Sequence, residues 1–208
     1  SPGGARPKAL IKHNNESWMV KFPSSFDPPD IGSIEFQYSR IARKCGIEMP
    51  QTQLFENKYF GVKRFDRDGD QRIHMHTASG LLNASHRYPS LDYTDLMKAS
   101  FALTRNIDDS YKLFRRMVFN VLTGNKDDHS KNFSFTSDEK RWSLAPAYDL
   151  APSGGFNGNH STTVAGQGQP SQSDIFEVGT QIGLKQNRLL QIFDEVYENC
   201  AAIRLGSW

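Results

Sequence analysis

The sequence predicts an α+β chain in one domain, with a strand-bearing front and a mainly helical back. Three observations carry this: short apolar and aromatic runs bounded by turn residues gather before about residue 72, apolar positions at helical spacing dominate after it, and 208 residues suffice for one sizeable core. We expect two subdomains around a cleft, a sheet-containing part over residues 1–72 and a helical part over 73–208.

The elements follow in order. SPGGARPKALI opens with small and turn-forming residues and then turns apolar, a glycine-containing loop leading into a strand. Trp18 to Phe22 reads as a strand that ends at Pro23, and PSSFDPPD is a loop because its prolines fix φ and remove donors. From Ser33, an N-cap candidate, Ile34, Tyr38, Ile41 and Cys45 recur at helical spacing until Gly46 stops the helix. Gln53–Glu56 and Tyr59–Phe65 are the next strands. Leu96, Met97, Ser100, Phe101 and Thr104 mark one helix face, and Leu113 to Leu122 is apolar enough for a core helix. Phe133–Phe135 and Trp142–Leu144 flank TSDEK as a hairpin. Gly154–Gln172, rich in Gly, Ser, Asn and Gln, reads as a mobile loop, and Leu189, Ile192, Phe193, Val196 and Cys200 give a final amphipathic helix.

Bulk properties exclude more than they assign. A net charge of +2 is too small for a nucleic-acid binder, so no direct nucleic-acid binding is expected. No apolar run approaches the roughly 20 residues of a bilayer span. Cys45 and Cys200 match no metal spacing and fall among apolar neighbours, which suggests two reduced, buried thiols in a cytoplasmic protein. His74 and His76 alternate as strand neighbours do, but with no third ligand in reach they read as surface or groove residues.

Chemistry concentrates in Gly124-Asn125-Lys126-Asp127-Asp128-His129-Ser130-Lys131-Asn132, directly behind the core helix, and in Pro146-Ala147-Tyr148-Asp149-Leu150 after the hairpin. Such polar density at the end of an apolar helix is expensive unless it faces a cleft, a ligand or a metal. Phosphoryl transfer needs a cation and Mg²⁺ on the phosphates, and a carboxylate to orient the attacking hydroxyl and take its proton. Protein kinases set that base five residues ahead of a metal-binding Asn, and Asp127 and Asn132 have this step. Asp149, across the hairpin, stands where a second Mg²⁺ ligand is needed, and Lys21 and Glu35 stand where a strand lysine and its helix glutamate would.

SPGGARPKAL, WMVKFP, the helix from Ser33 to Gly46, VKRFDR, GNKDDHSKNFSF and LAPAYDL, in that order, resemble the HipA-like serine/threonine kinases of bacteria. The likeness spans roughly residues 1–152, and the tail STTVAGQGQPSQSDIFEVG looks like the family's C-terminal helical region. The resemblance implies a two-lobed protein-kinase-like fold and transfer of the ATP γ-phosphate to Ser or Thr. It implies Asp127 as base, Asn132 and Asp149 as Mg²⁺ ligands, Lys21 on the ATP phosphates, and His129 as support for the catalytic loop. Arg64 and Phe65 would form the hinge that meets adenine, and the loop with Gly3 and Gly4 would cover the phosphates, Ser1 lying near the family's autophosphorylated serine. It further implies a toxin paired with a small DNA-binding antitoxin, with an aminoacyl-tRNA synthetase as one protein substrate that fits. Relatives carry a subdomain ahead of the glycine loop that has no counterpart here, so an incomplete front sheet is expected, and Lys63 stands where an acid is common.

Other readings stand beside these. Asp128 is the alternative base, though the five-residue step favours Asp127. His129 either anchors the loop or takes part in catalysis; Asp149 either binds metal or caps a helix from Leu150; Glu35 either pairs with Lys21 or faces solvent. At the level of function, a metal-dependent phosphoesterase using Asp127, Asp128, His129 and Asp149 competes with the kinase, as does a kinase-like module that binds nucleotide or antitoxin without turnover.

Overall fold

The computed structural model describes residues 6–69, 71–82 and 91–206. Its front is a four-stranded antiparallel sheet of β1 (Lys8–His13), β2 (Glu16–Lys21), β3 (Thr52–Phe55) and β4 (Tyr59–Lys63), in the order β1-β2-β4-β3. Asn14 and Asn15, at φ of 50° and 61°, make the two-residue turn between β1 and β2, a backbone that asparagine adopts readily and that suits the twist of a hairpin. Strand alternation then fixes the faces. Trp18 and Val20 point away from the cleft, where Trp18, Phe55 and His13 pack edge to face. Met19 and Lys21 point into it, beside the cross-strand partners Leu10 and Val62 of Met19 and Lys8 of Lys21.

Helix α1 (Ile31–Lys44) starts three residues earlier than the Ser33 cap predicts, with Asp30 at the N-cap position. Gly32 makes that start, because a Cβ there would lie 2.0 Å from the Lys58 carbonyl oxygen in the β3–β4 turn. The hairpin of β5 (Arg67–Asp68) and β6 (Gln71–Arg72) follows. Strand β7 (His74–Thr77) and the short α2 (Ala78–Leu81) lead to β8 (Leu91–Asp92), α3 (Tyr93–Thr104) and α4 (Ile107–Thr123). After a 3-10 turn at Ser130–Asn132 come β9 (Ser134–Ser137), β10 (Trp142–Leu144), β11 (Thr162–Thr163), α5 (Gln172–Gln181) and α6 (Gln186–Asn199).

The expected hairpin of β9 and β10 is present, and β7 joins its far edge in a three-stranded sheet. There His74 packs edge-on to Trp142, with ring centroids 5.3 Å apart. The main core is continuous: Tyr38, Ile41, Ala42 and Cys45 of α1 pack with α3, α4, α5 and α6, and α4 is buried over most of its length. Cys45 and Cys200 are both free and buried, and burial pushes the Cys45 thiol up to about 12, so neither is poised for redox chemistry. Among the described residues no helix is long and apolar enough to cross a membrane.

Residues 154–172, expected as a mobile loop, are tied down instead. Ser153 donates to Gly124, His160 to Gly168 and Ser161 to Lys126, and β11 pairs in parallel with β8. Helix α5 follows at once, capped by a Ser171–Asp174 box.

Candidate active site

Helix α4 ends at Gly124, whose φ of 68° turns the chain out of the helix toward the cleft. The next residues alternate sharply in burial. Asp127 stands in the cleft with its side chain 63% exposed, while Asp128 is wholly buried. Asn132 donates from Nδ2 to the Asp127 carbonyl over 2.7 Å, and its own amide bonds the His129 carbonyl at 2.8 Å. The five-residue step read in the sequence is therefore one closed loop. His129 Nε2 lies 3.8 Å from Asp127 Oδ1.

Asp149 enters from the other side of the loop, at a φ of 54° that Asp tolerates better than most residues. It is ion-paired with Lys21, and Lys21 Nζ also bonds Glu35 at 2.8 Å. Glu35 in turn holds Arg6, and Arg6 Nε reaches Asp27 at 2.9 Å. The expected Lys21–Glu35 pair thus exists within a longer chain of alternating charges.

The electrostatics follow from this arrangement. Burial tends to lower the Lys21 ammonium, but Asp149 and Glu35 outweigh it and hold the group above its ordinary value. Burial tends to raise the Asp149 carboxyl, but the Lys21 ammonium, with Lys8 beyond it, holds it below the ordinary carboxylate range. Asp127 goes the other way. The cleft walls strip part of its hydration and raise it; His129 pulls it down, while Asp149 and Asp128 push it further up.

These groups line one cleft of about 1070 Å³, at the upper end of ligand-pocket sizes. Leu10, Met19 and Val62 form its apolar wall, with Arg64 and Phe65 at the end of β4. Phe65 stacks on Tyr148 at 5.8 Å, and Tyr148 donates to the Lys131 carbonyl at 2.7 Å. Arg64 is paired with Asp66. Lys21, Glu35, Arg64, Phe65, Asp127, His129, Asn132 and Asp149 all border this space. Gly3 and Gly4, and Ser1, lie outside the described residues.

The donor set suits a hard cation. The Asp149 carboxylate and the Asn132 carboxamide oxygen, its nitrogen already committed to Asp127, are of the oxygen-donor type that Mg²⁺ prefers together with phosphate oxygens and water. Two cleft residues escape a reading of the sequence: Arg6 sits in a turn-rich stretch without pattern, and Tyr148 gives only the signal of an aromatic directly ahead of the acid in PAYDL. Behind the cleft, Tyr93, at an ordinary helix position, and His160, in a glycine-rich stretch, bond the buried Asp128 and escape it as well.

Fold and site together define a two-lobed, kinase-like protein. Residues 1–203 match the model of the HipA-like C-terminal domain, and the chain belongs to that family. Among solved structures it is similar to HipA of Shewanella oneidensis, in a complex with HipB and operator DNA, at a TM-score of 0.80 and 22% identity over 98% of this chain and 58% of that one. It is also similar to the proinflammatory kinase CtkA of Helicobacter pylori, at a TM-score of 0.60 and 17% identity over 94% of this chain and 90% of that one. Of curated proteins, "Putative kinase Y4dM" of Sinorhizobium fredii is 29% identical over 64% of this chain and 37% of its own length. A "Putative kinase" of Haemophilus influenzae is 24% identical over 86% of this chain and 63% of its own length. The chain thus spans between about a third and two thirds of these relatives.

Proposed function

We propose that the chain is the ATP-binding and catalytic part of a protein serine/threonine kinase. The single observation that carries this reading is the convergence of Asp127, Asn132, Asp149 and the Lys21–Glu35 pair on one cleft from four separate elements. Leu10, Met19, Val62 and Phe65 offer an apolar seat for adenine. Lys21 meets the phosphates. Asn132 and Asp149 would hold Mg²⁺, which supplies charge neutralisation on the phosphates when bound. Asp127 orients the substrate hydroxyl and accepts its proton; its raised affinity for a proton favours that step. His129, within reach of Asp127, steadies the loop.

The phosphoesterase alternative loses a ligand, because all the lone pairs of Asp128 that face the protein are taken up by hydrogen bonds. By likeness to the HipA–HipB complex, a small DNA-binding antitoxin is the partner we infer, and a protein hydroxyl the acceptor. The test is incubation with γ-labelled ATP and Mg²⁺ beside Asp127→Asn and Asp149→Asn. Label on serine or threonine in the wild type alone supports the kinase; saturable nucleotide binding without label would leave a module that binds without turnover.

A further inference from the structure

Behind Asp127 lies a second carboxylate that the proposed chemistry does not use. The Asp128 side chain is 0% exposed, and four donors converge on it. Its Oδ2 accepts from the Tyr93 hydroxyl at 2.8 Å and from His160 Nδ1 at 2.9 Å; its Oδ1 accepts from the amides of Ser161 at 2.9 Å and Thr162 at 3.2 Å. The Thr162 hydroxyl bonds the Asp128 carbonyl at 2.5 Å. A buried carboxylate is tolerable only when so satisfied, and these donors come from α3 and from the segment after Asp149.

The same segment grips the other side of Asp127. Both the amide and the hydroxyl of Ser161 bond the Lys126 carbonyl at 3.0 Å, and Lys126 Nζ bonds the Gly158 carbonyl at 2.8 Å. Asp127, which faces the cleft, therefore stands between two residues that are both fastened to Ser161. Its own carbonyl is held by Asn132. Three anchors fix the backbone from which its carboxylate projects.

The geometry points to His160 and Asp128 as positioning residues: their bond makes residues 158–162 part of the mounting that presents Asp127 to the substrate hydroxyl. This rests on Asp127 being the base. A displacement of about an ångström at such a group costs on the order of 100-fold in rate without loss of ligand binding.

The test compares the wild type with His160→Phe, which fills the space without a donor, and His160→Asn, whose amide lies near the place of Nδ1. Melting temperature, Mg·ATP affinity, phosphate transfer rate and backbone hydrogen exchange are measured on each. His160→Phe is expected to bind Mg·ATP within about 3-fold of wild type, to transfer at least about 10-fold more slowly, and to exchange faster over both 125–132 and 158–164. His160→Asn should recover most of the rate and the protection. Undiminished transfer in His160→Phe, or faster exchange confined to 158–164, would overturn the inference, as would a His160→Asn variant no better than His160→Phe. If His160→Phe does not fold, Asp128→Asn is read by the same measurements. If the wild type itself transfers no phosphate, the kinase reading falls, and the exchange pattern alone decides whether this link holds the 125–132 loop.

Discussion

Lys21 is the residue on which most of the site's charge balance turns. It neutralises Glu35, which is 3% exposed, and Asp149 together. Asp149 titrates near 3.8 when unperturbed and lower in the fold, so its stabilising share is present in full above that value and disappears as pH falls through the lower one. In Lys21→Met burial is opposed only by Lys8 and His129, and the carboxyl moves upward. Urea melts between about pH 2 and 5 should therefore show a shallower acid-side loss of stability in the variant than in the wild type. At neutral pH the same variant should be less stable by about 3 kcal/mol or somewhat less, because Glu35 keeps Arg6 as one partner. Asp127→Asn behaves differently. Its side chain is exposed and outside the core, so folding and Mg·ATP binding should persist while transfer drops by roughly 10²- to 10⁴-fold in a labelled-phosphate assay.

At the scale of elements, α1 joins the cleft to the core. Its first turns bring Glu35 to Lys21, and its later turns carry Tyr38, Ile41 and Cys45 into the main cluster. Gly32 sets its distance from the β3–β4 turn, so Gly32→Ala should destabilise by about 1–3 kcal/mol in denaturant melts and weaken nucleotide binding by moving Glu35. The helices with a clear 3.6-residue pattern were legible in the sequence, as was the closeness of Asp127 and Asn132, whose spacing is local. The start of α1 was not, because Asp30 takes the position without any side-chain hydrogen bond to mark it. Nor was the order of residues 154–172, which comes from bonds to Lys126, Asp128 and Leu91, up to 72 positions away. Composition reports local preference, and that segment is held by distant partners. His160 was missed for the same reason.

Over the whole molecule, the cleft lies between the front sheet and the end of α4, and its two walls meet through the Lys21–Asp149 ion pair. A nucleotide spanning both walls should raise the melting temperature, with a gain of about 2.7 kcal/mol at a hundredfold excess over Kd. The same ion pair has a second consequence. On the proposed assignment of Mg²⁺ to Asp149 and phosphate to Lys21, the lysine would act as a placeholder cation in the seat of the metal. Divalent ion added alone would have to evict an ammonium from Asp149, whereas ion added with triphosphate would find the ammonium already drawn to the phosphates. The two ligands should then be heterotropically linked, each raising the affinity for the other by one common factor. In Lys21→Met that factor should shrink, and Mg²⁺ alone should bind more tightly than to the wild type even as ATP binds more weakly. Calorimetric titration of each ligand with and without the other reads both signs at once. On that assignment, a lysine that holds phosphate would keep the metal seat from filling before its substrate arrives.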